Sequence, residues 1–442
     1  MTFSDLNINK PLLSALDDLA ITEPTSIQAK TFSPIMSGKD IVGVAQTGTG
    51  KTFAFLLPTL RLWSFSKSPL PQVLVMVPTR ELVMQIVMEL EKLTTYMNVV
   101  TVGVYGGANI RNNIDDIQNG VDIVVGTPGR LIDLLKSGAL KTKKMKRLII
   151  DEVDEMLNLG FRTQLNDIVE YLPTKRQNLM FSATMPDEVE QIVNNYTDYY
   201  VKIEAAPSGA PLENIDQYSY EVPNFNTKAH LLELLLDQDE LMSKVLVFVS
   251  TKKMADALYE KMSTILGDKV GVIHSSKSQN YRFNTVNSFD DGTYRIIIAT
   301  DVIARGLDVS KVTHVINFDL SEIPESYIHR IGRTGRAEQK GIAISFVSEK
   351  ESSYKEKIEA LMGQAIPIKI TPEELIVSAE LIELEKEVEF IPFNNHKMKD
   401  HKPSGPAFHE KLDKNKKENN KVRYETMMQK KYKKQYRKKD RR

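Results

Sequence analysis

Asp40–Leu57 reads DIVGVAQTGTGKTFAFLL, and its parts follow one another in the order of a phosphate-binding unit. Ile41–Ala45 is a short apolar, β-branched run that suits a buried strand. Gly48 and Gly50 let backbone N–H groups close around an anion. Phe53–Leu57 is apolar and opens a helix, whose N-terminus adds partial positive charge. In that frame Gly48, Thr49 and Gly50 would cradle phosphates, Lys51 would reach β- and γ-phosphates, and the Thr52 hydroxyl would hold Mg²⁺. Ala45 occupies the place of the first glycine in the general pattern.

Working outward, similar apolar runs recur between helical patterns. In the first half they are Val73–Val77, Val99–Tyr105, Ile123–Val125, Arg147–Ile150 and Leu179–Phe181. In the second they are Val245–Val249, Val270–Ile273, Arg295–Ala299, His314–Phe318 and Ile342–Val347. Runs without polar alternation suit parallel strands buried on both faces, and their alternation with helices suits βαβ units. Ala205–Leu212 (AAPSGAPL) carries two prolines, a glycine and no periodicity, so 205–213 reads as a linker between two α/β lobes, 1–204 and 214–370. Thr371-Pro372-Glu373-Glu374 has the form of a capped helix start and predicts a helical extension within 371–393.

The run Leu148-Ile149-Ile150 delivers Asp151, Glu152 and Asp154 to a strand end. In the same lobe as a phosphate loop, Asp151 is suited to hold Mg²⁺, directly or through water. Glu152 is suited to orient and deprotonate an attacking water. Arg330, Arg333 and Arg336 fall within seven residues, interleaved with Gly332 and Gly335. Guanidinium forks pair bidentately with phosphate oxygens, and Arg333 and Arg336 are the candidates to reach the γ-phosphate across an interface.

Composition narrows the classes. With 442 residues and a prior of roughly 150 per domain, about three units are expected. The absence of cysteine excludes disulfides, thiol nucleophiles and Cys-based zinc sites. The seven histidines show no metal-ligand spacing. No signal peptide or run of about 18 apolar residues is evident, so neither secretion nor a membrane span is expected, and a cytoplasmic location fits. Formal charge is zero, but 394–442 is a basic tail, expected to be disordered: from Asn395 to Arg442 there are 18 Lys+Arg against 6 Asp+Glu. Such a tail is a solubilising segment or a salt-sensitive tether for a polyanion, with Tyr424, Tyr432 and Tyr436 able to stack on bases. Trp63, Met84 and Met88 are read as core or packing residues.

Taken together, the motifs resemble the DEAD-box RNA helicase family from Phe3 to about Ser348. They run in one order: Pro24–Gln28, the phosphate loop, Pro78–Leu82, Gly106-Gly107, Thr127–Arg130, Asp151–Asp154, Ser182–Thr184, Val247–Ser250, Gln279-x-x-Arg282, Thr300–Asp308 and His329–Arg336. The resemblance implies an α/β fold of two tandem RecA-like parallel-sheet lobes joined by a short linker. It implies an ATP hydrolase that binds RNA through sugar and phosphate, with low sequence specificity, and separates short duplexes. Phe3 and Gln28 would meet adenine, Asp308 the ribose, and Thr79, Arg80, Gly107, Thr127, Arg130 and Thr300 the RNA. Asp154, Ser182, Thr184 and His329 would couple the ATP and RNA states; protein partners are not indicated. The chain departs from the family pattern at Val153 in the tetrad, at Ala20-Ile21 where Gly and often an aromatic stand, and at His274-Ser275-Ser276 where a His-Gly-acid run is usual.

Overall fold

Two sheets account for the alternation of apolar runs with helices. The first is built from β1 (Asp40–Val44), β2 (Val73–Met76), β3 (Thr101–Val104), β4 (Ile123–Gly126), β5 (Arg147–Ile150), β6 (Gln177–Ser182) and β7 (Tyr200–Glu204), in the spatial order β3-β4-β2-β5-β6-β1-β7. The second is built from β8 (Ile215–Glu221), β9 (Val245–Val249), β10 (Val270–Ile273), β11 (Ile296–Thr300), β12 (His314–Asn317) and β13 (Gly341–Val347), in the order β10-β11-β9-β12-β13-β8. All pairings are parallel. This computed structural model describes residues 1–46, 48–204, 214–301, 312–335 and 340–386. The expected linker (205–213), Asp308, Arg336 and the basic tail (394–442) lie outside the described residues.

The apolar runs are continuous because each central strand is covered twice. On β5, Ile149 packs into the cluster that holds Phe55, Ile35 and Phe181, while Leu148 and Ile150 pack into the one that holds Leu131, Leu165 and Ile192. Successive side chains on a strand point to opposite faces, so both must be apolar. Of the four edge strands, β10 is buried throughout, whereas β7 and β8 differ. β7 (YVKIE) and β8 (IDQYSYE) each have one neighbouring strand and mix exposed with buried positions. They lie outside the runs read from the sequence because continuous hydrophobicity does not mark half-exposed strands.

The helical extension is not what forms. Among residues 371–386 there is no helix, only a turn in which the Pro372 carbonyl accepts from the Leu375 N–H, and later another. The segment runs along the helix Phe225–Gln238. The Ile376 N–H donates to His230 Nδ1 at 3.1 Å and the Ser378 N–H to Thr227 Oγ1 at 3.1 Å. Asn224 Nδ2 donates to the Ser378 carbonyl at 2.6 Å, and Glu385 accepts from the Phe225 N–H at 2.6 Å. Leu375 and Ile382 pack on the second-lobe core. These tertiary partners satisfy the backbone groups that a helix would have paired internally, so the local capping signal is overridden.

Ala20 has φ +55°, a left-handed conformation that costs a non-glycine residue about 1 kcal/mol. That accounts for glycine being usual there, and Ile21 is packed on the first-lobe core.

Beneath the 371–386 segment lies a buried charge cluster. Lys228 Nζ is 2.7 Å from Glu351 Oε2 and 3.2 Å from Asp319 Oδ1, with 4% of the Lys228 side chain exposed. Backbone N–H groups of Leu320 and Ser250 satisfy the remaining carboxylate oxygens at 2.8 and 2.9 Å. Removing the cation alone leaves two buried carboxylates facing each other. Lys228→Met is expected to destabilise the fold by about 3–5 kcal/mol, read as a lower urea midpoint. An unchanged midpoint would show that the cluster does not hold this lobe together.

Candidate functional site

Strand order decides which motifs meet. In the first sheet β5, β6 and β1 are consecutive, so their carboxyl ends bring Asp151–Asp154, Ser182–Thr184 and the phosphate loop side by side. β4 and β2 are adjacent on the other side of β5 and present Thr127–Arg130 and Pro78–Leu82. Ligands of parallel α/β sheets bind outside the carboxyl ends of strands. One edge of one sheet thus carries two neighbouring functional surfaces.

The phosphate loop is tied to the glutamine motif. Thr25 caps the helix Ser26–Met36, and Gln28 returns its side-chain carbonyl to the Thr25 N–H at 3.0 Å. Gln28 Nε2 donates to the Gly50 carbonyl at 3.1 Å. Each of these leaves capacity over, since an amide offers two N–H donors and two acceptor lone pairs. Gly50 has φ +88°, and a Cβ there would collide with the Gln28 amide, so no other residue fits. Thr49 Oγ1 donates to the Gln46 carbonyl at 2.7 Å, and Gly48 is also left-handed. Phe3 is buried in the first-lobe core. Thr52 is half-buried behind Lys51 at the start of the helix Lys51–Arg61.

Charge is concentrated and incompletely matched at this point. Lys51 Nζ and Glu152 Oε2 are buried and have no hydrogen-bond partner among the described residues. A buried polar atom without a partner costs about 1–3 kcal/mol, more when charged, unless something occupies the site. Glu152 adopts φ +54°, ψ +53°, strain of the kind that collects at functional sites. Burial pushes the Asp151 carboxyl up to about 6, against the opposing pull of Lys51 and with help from neighbouring Glu152. Asp154 goes the other way. Burial again disfavours its charge, but His329, Lys51 and Thr184 outweigh that and hold it well below the usual carboxylate range. Its Oδ2 accepts from the Ala183 N–H (3.1 Å), the Thr184 N–H (2.9 Å) and Thr184 Oγ1 (2.8 Å). Ser182 Oγ accepts from the Asp154 N–H at 3.2 Å. His329, on the second-lobe helix Pro324–Ile331, places Nε2 3.6 Å from the same Oδ2. Asp154, Ser182, Thr184 and His329 are therefore in one buried cluster that crosses between the lobes.

The arginines divide. Arg330 is buried, forks onto Asp301 at 2.5 and 2.7 Å, donates to the Asp319 carbonyl at 2.6 Å and lies over the Phe248 ring. It braces the second lobe. Arg333 is 5% exposed and donates from Nε to the His329 carbonyl at 3.3 Å, beside the histidine that meets Asp154.

On the β4–β2 side a cleft of about 790 Å³ opens between the lobes. Thr79, Arg80, Gly107, Thr127 and Arg130 line one wall; Ser275, Lys277, Gln279 and Arg282 line the other. Gly107 (φ +87°) lies against the Arg80 guanidinium, which would have to move to admit a Cβ. Arg130 is held by Asn113 at 2.6 Å and the Ala108 carbonyl at 2.7 Å. Thr300 ends β11 and is buried; it is not part of the cleft wall. Glu81 bridges the lobes beneath the cleft, 2.6 Å from Arg282 Nη1 and accepting from Gln279 Nε2 at 3.2 Å. Sequence reading placed Gln279 and Arg282 in a motif without finding their partner Glu81, since only the fold brings positions some two hundred residues apart together. Met84 and Met88 are not core: with Phe283 and Val286 they line a smaller interlobe cavity of about 230 Å³, and Met88 is 54% exposed.

The raised Asp151 carboxyl has a consequence for stability. Folding tightens its hold on the proton, so ionisation above pH about 6 costs stability. The cost disappears as pH falls towards the ordinary value of 3.8. In metal-free, nucleotide-free buffer at pH 8, Asp151→Asn is expected to raise stability by about 2–3 kcal/mol. The gap should close between pH 6 and 4. A variant no more stable than the parent at pH 8 would contradict the buried-charge assignment.

Residues 25–192 match the DEAD/DEAH box helicase family, and residues 226–338 match the helicase conserved C-terminal domain. The chain is 40% identical over 360 residues to the DEAD-box ATP-dependent RNA helicase CshA of Geobacillus kaustophilus, which covers 81% of this chain and 76% of the relative. It is 42% identical over 364 residues to CshA of Streptococcus pneumoniae, covering 82% and 68%. Among solved structures, S. cerevisiae Dbp5 bound to RNA and ADP BeF3 superposes with a TM-score of 0.77 at 29% identity, covering 84% of this chain and 96% of that one. With both family models matched in order and 40% identity over 81% of its length to such a helicase, this chain belongs to the DEAD-box family of ATP-dependent RNA helicases.

Proposed function

We infer that this protein hydrolyses ATP in step with RNA binding and separates short RNA duplexes locally. The observation that carries the reading is that Lys51 Nζ and Glu152 Oε2 are buried without a hydrogen-bond partner among the described residues, beside the Asp151 carboxyl that burial pushes up to about 6, at the place where His329 of the second lobe meets Asp154. An anion with a cation fits that set. ATP supplies γ-phosphate oxygens for Lys51. Mg²⁺, held through Thr52 and Asp151, supplies charge neutralisation for the phosphates and for Asp151. Gly48, Thr49 and Gly50 offer backbone N–H groups to the phosphates, and Gln28 and Phe3 form the base end of the site.

Glu152 is the general base. It orients a water in line with the γ-phosphorus and takes its proton as the bond to the β-bridging oxygen breaks, releasing ADP and phosphate. Arg333 and Arg336 bring positive charge to the transferring phosphoryl group from the second lobe, an effect worth about 10³–10⁵ in rate elsewhere. Asp308 approaches the ribose. The site is complete only when the lobes are together, which is also when Thr79, Arg80, Gly107, Thr127 and Arg130 face the second-lobe wall of the cleft. ATP and single-stranded RNA therefore favour the same state and bind cooperatively. Thr300 contributes from the second lobe at the end of β11. Contacts of this kind fall on sugar and phosphate, so the protein discriminates poorly between sequences. The basic tail adds a sequence-independent tether. No helix among the described residues is long and apolar enough to cross a membrane; a cytoplasmic location suits an RNA substrate and a cysteine-free chain.

Steady-state hydrolysis tests this directly, measured without nucleic acid, with single-stranded RNA and with matched single-stranded DNA. RNA is expected to stimulate turnover strongly and DNA weakly. Glu152→Gln should lower RNA-stimulated turnover by at least about 10² while nucleotide still binds. Equal stimulation by DNA would overturn the RNA assignment, and undiminished turnover in Glu152→Gln would overturn that of the base.

A further inference from the structure

The turn after β10 departs from the family pattern: His274-Ser275-Ser276 stands where a His-Gly-acid run is usual, and the next residue is Lys277. In the structure Ser275 and Lys277 both line the second-lobe wall of the large cleft. The cleft holds two carboxylates, Glu81 and Asp133, and Glu81 is already matched by Arg282. Arg130 is engaged with Asn113 and the Ala108 carbonyl. Lys277 is differently placed. Its Nζ lies 3.0 Å from Asp256 Oδ1 and 5.8 Å from the centre of the Tyr281 ring.

Asp256 is 51% exposed, so this ion pair is screened by water and weakly held. The same Oδ1 also takes a hydrogen bond from His274 Nε2 at 2.9 Å, while His274 Nδ1 accepts the Ser276 N–H at 3.4 Å. These bonds tie Asp256 to His274 as well as to Lys277. Asp256 therefore keeps a buried partner when Lys277 leaves, and the ammonium can swing into the cleft without stranding a charge. Ser276, in the place of the acid, does not line the cleft; Lys277 does, and its ammonium attracts a phosphate.

We propose that Lys277 is a second-lobe contact for an RNA phosphate, engaged only when the lobes close. The proposal rests on the cleft being the RNA path. Because Lys277 sits across the cleft from Arg80 and Arg130, its contribution depends on nucleotide state, unlike that of the first-lobe residues. A single lysine–phosphate contact accounts for a salt slope of about 0.7 in log affinity against log salt for single strands.

The test measures binding of a fluorescent single-stranded RNA across a series of salt concentrations, with AMP-PNP and separately with ADP. The full chain is compared as wild type, Lys277→Ala, Lys277→Arg and Arg80→Ala. With AMP-PNP, Lys277→Ala should bind about three- to tenfold more weakly at low salt and lose about 0.7 of slope. Lys277→Arg should restore both, and with ADP the wild type and Lys277→Ala should coincide. Arg80→Ala weakening RNA while Lys277→Ala leaves the slope unchanged would overturn the Lys277 contact alone. Neither substitution affecting RNA would instead overturn the cleft as the RNA path. Equal loss in AMP-PNP and ADP would overturn the dependence on closure.

Discussion

Asp154 is the constraint on which the rest of the molecule depends. It is buried and charged, accepts from the backbone of its own helix and from the Ala183–Thr184 turn that ends β6, and faces His329 of the other lobe at 3.6 Å. Burial alone would neutralise it, as burial drives Asp151 towards neutrality a few residues away. It stays ionised because those donors converge on it. Withdrawing His329 removes one support from a buried carboxylate, so the separation of the lobes is felt at the same strand end that presents Asp151 and Glu152. Truncating one partner of such a buried pair is costly because the other is left unmatched.

From that node the two surfaces of the sheet follow by strand order. β5 has β6 and β1 on one side and β2 and β4 on the other. Asp151 and Glu152 thus stand between the phosphate loop and the cleft, and the closure that sets His329 on Asp154 also sets Arg282 on Glu81. Two interlobe bridges, one at each surface, make a joint preference of ATP and RNA for one arrangement a consequence of geometry.

Much of this was legible because the signals are local. Buried parallel strands are continuous apolar runs, so β2, β5 and β9 could be read directly. The strand–loop–helix at Asp40–Leu57 carries its chemistry in consecutive residues. What escaped depends on neighbours distant in sequence. β7 and β8 are edge strands whose mixed burial hides them. Residues 371–386 carry a helix-start signal, yet His230, Thr227 and Asn224 pull the backbone into an extended path. The three clustered arginines look equivalent in sequence; Asp301 and Phe248 single out Arg330 as a brace. The partnership of Glu81 with Gln279 and Arg282, and the placing of Lys277 on a cleft wall, exist only once two sheets face each other.

We infer that His329 on Asp154, the bridge at the ATP surface, carries most of the coupling between ATP and RNA. It is tested by measuring AMP-PNP affinity with and without single-stranded RNA in wild type and in His329→Ala. In the wild type RNA should tighten AMP-PNP binding by about 5- to 150-fold, and in His329→Ala that ratio should collapse towards one while AMP-PNP still binds without RNA. A variant that retains the full ratio would contradict the account.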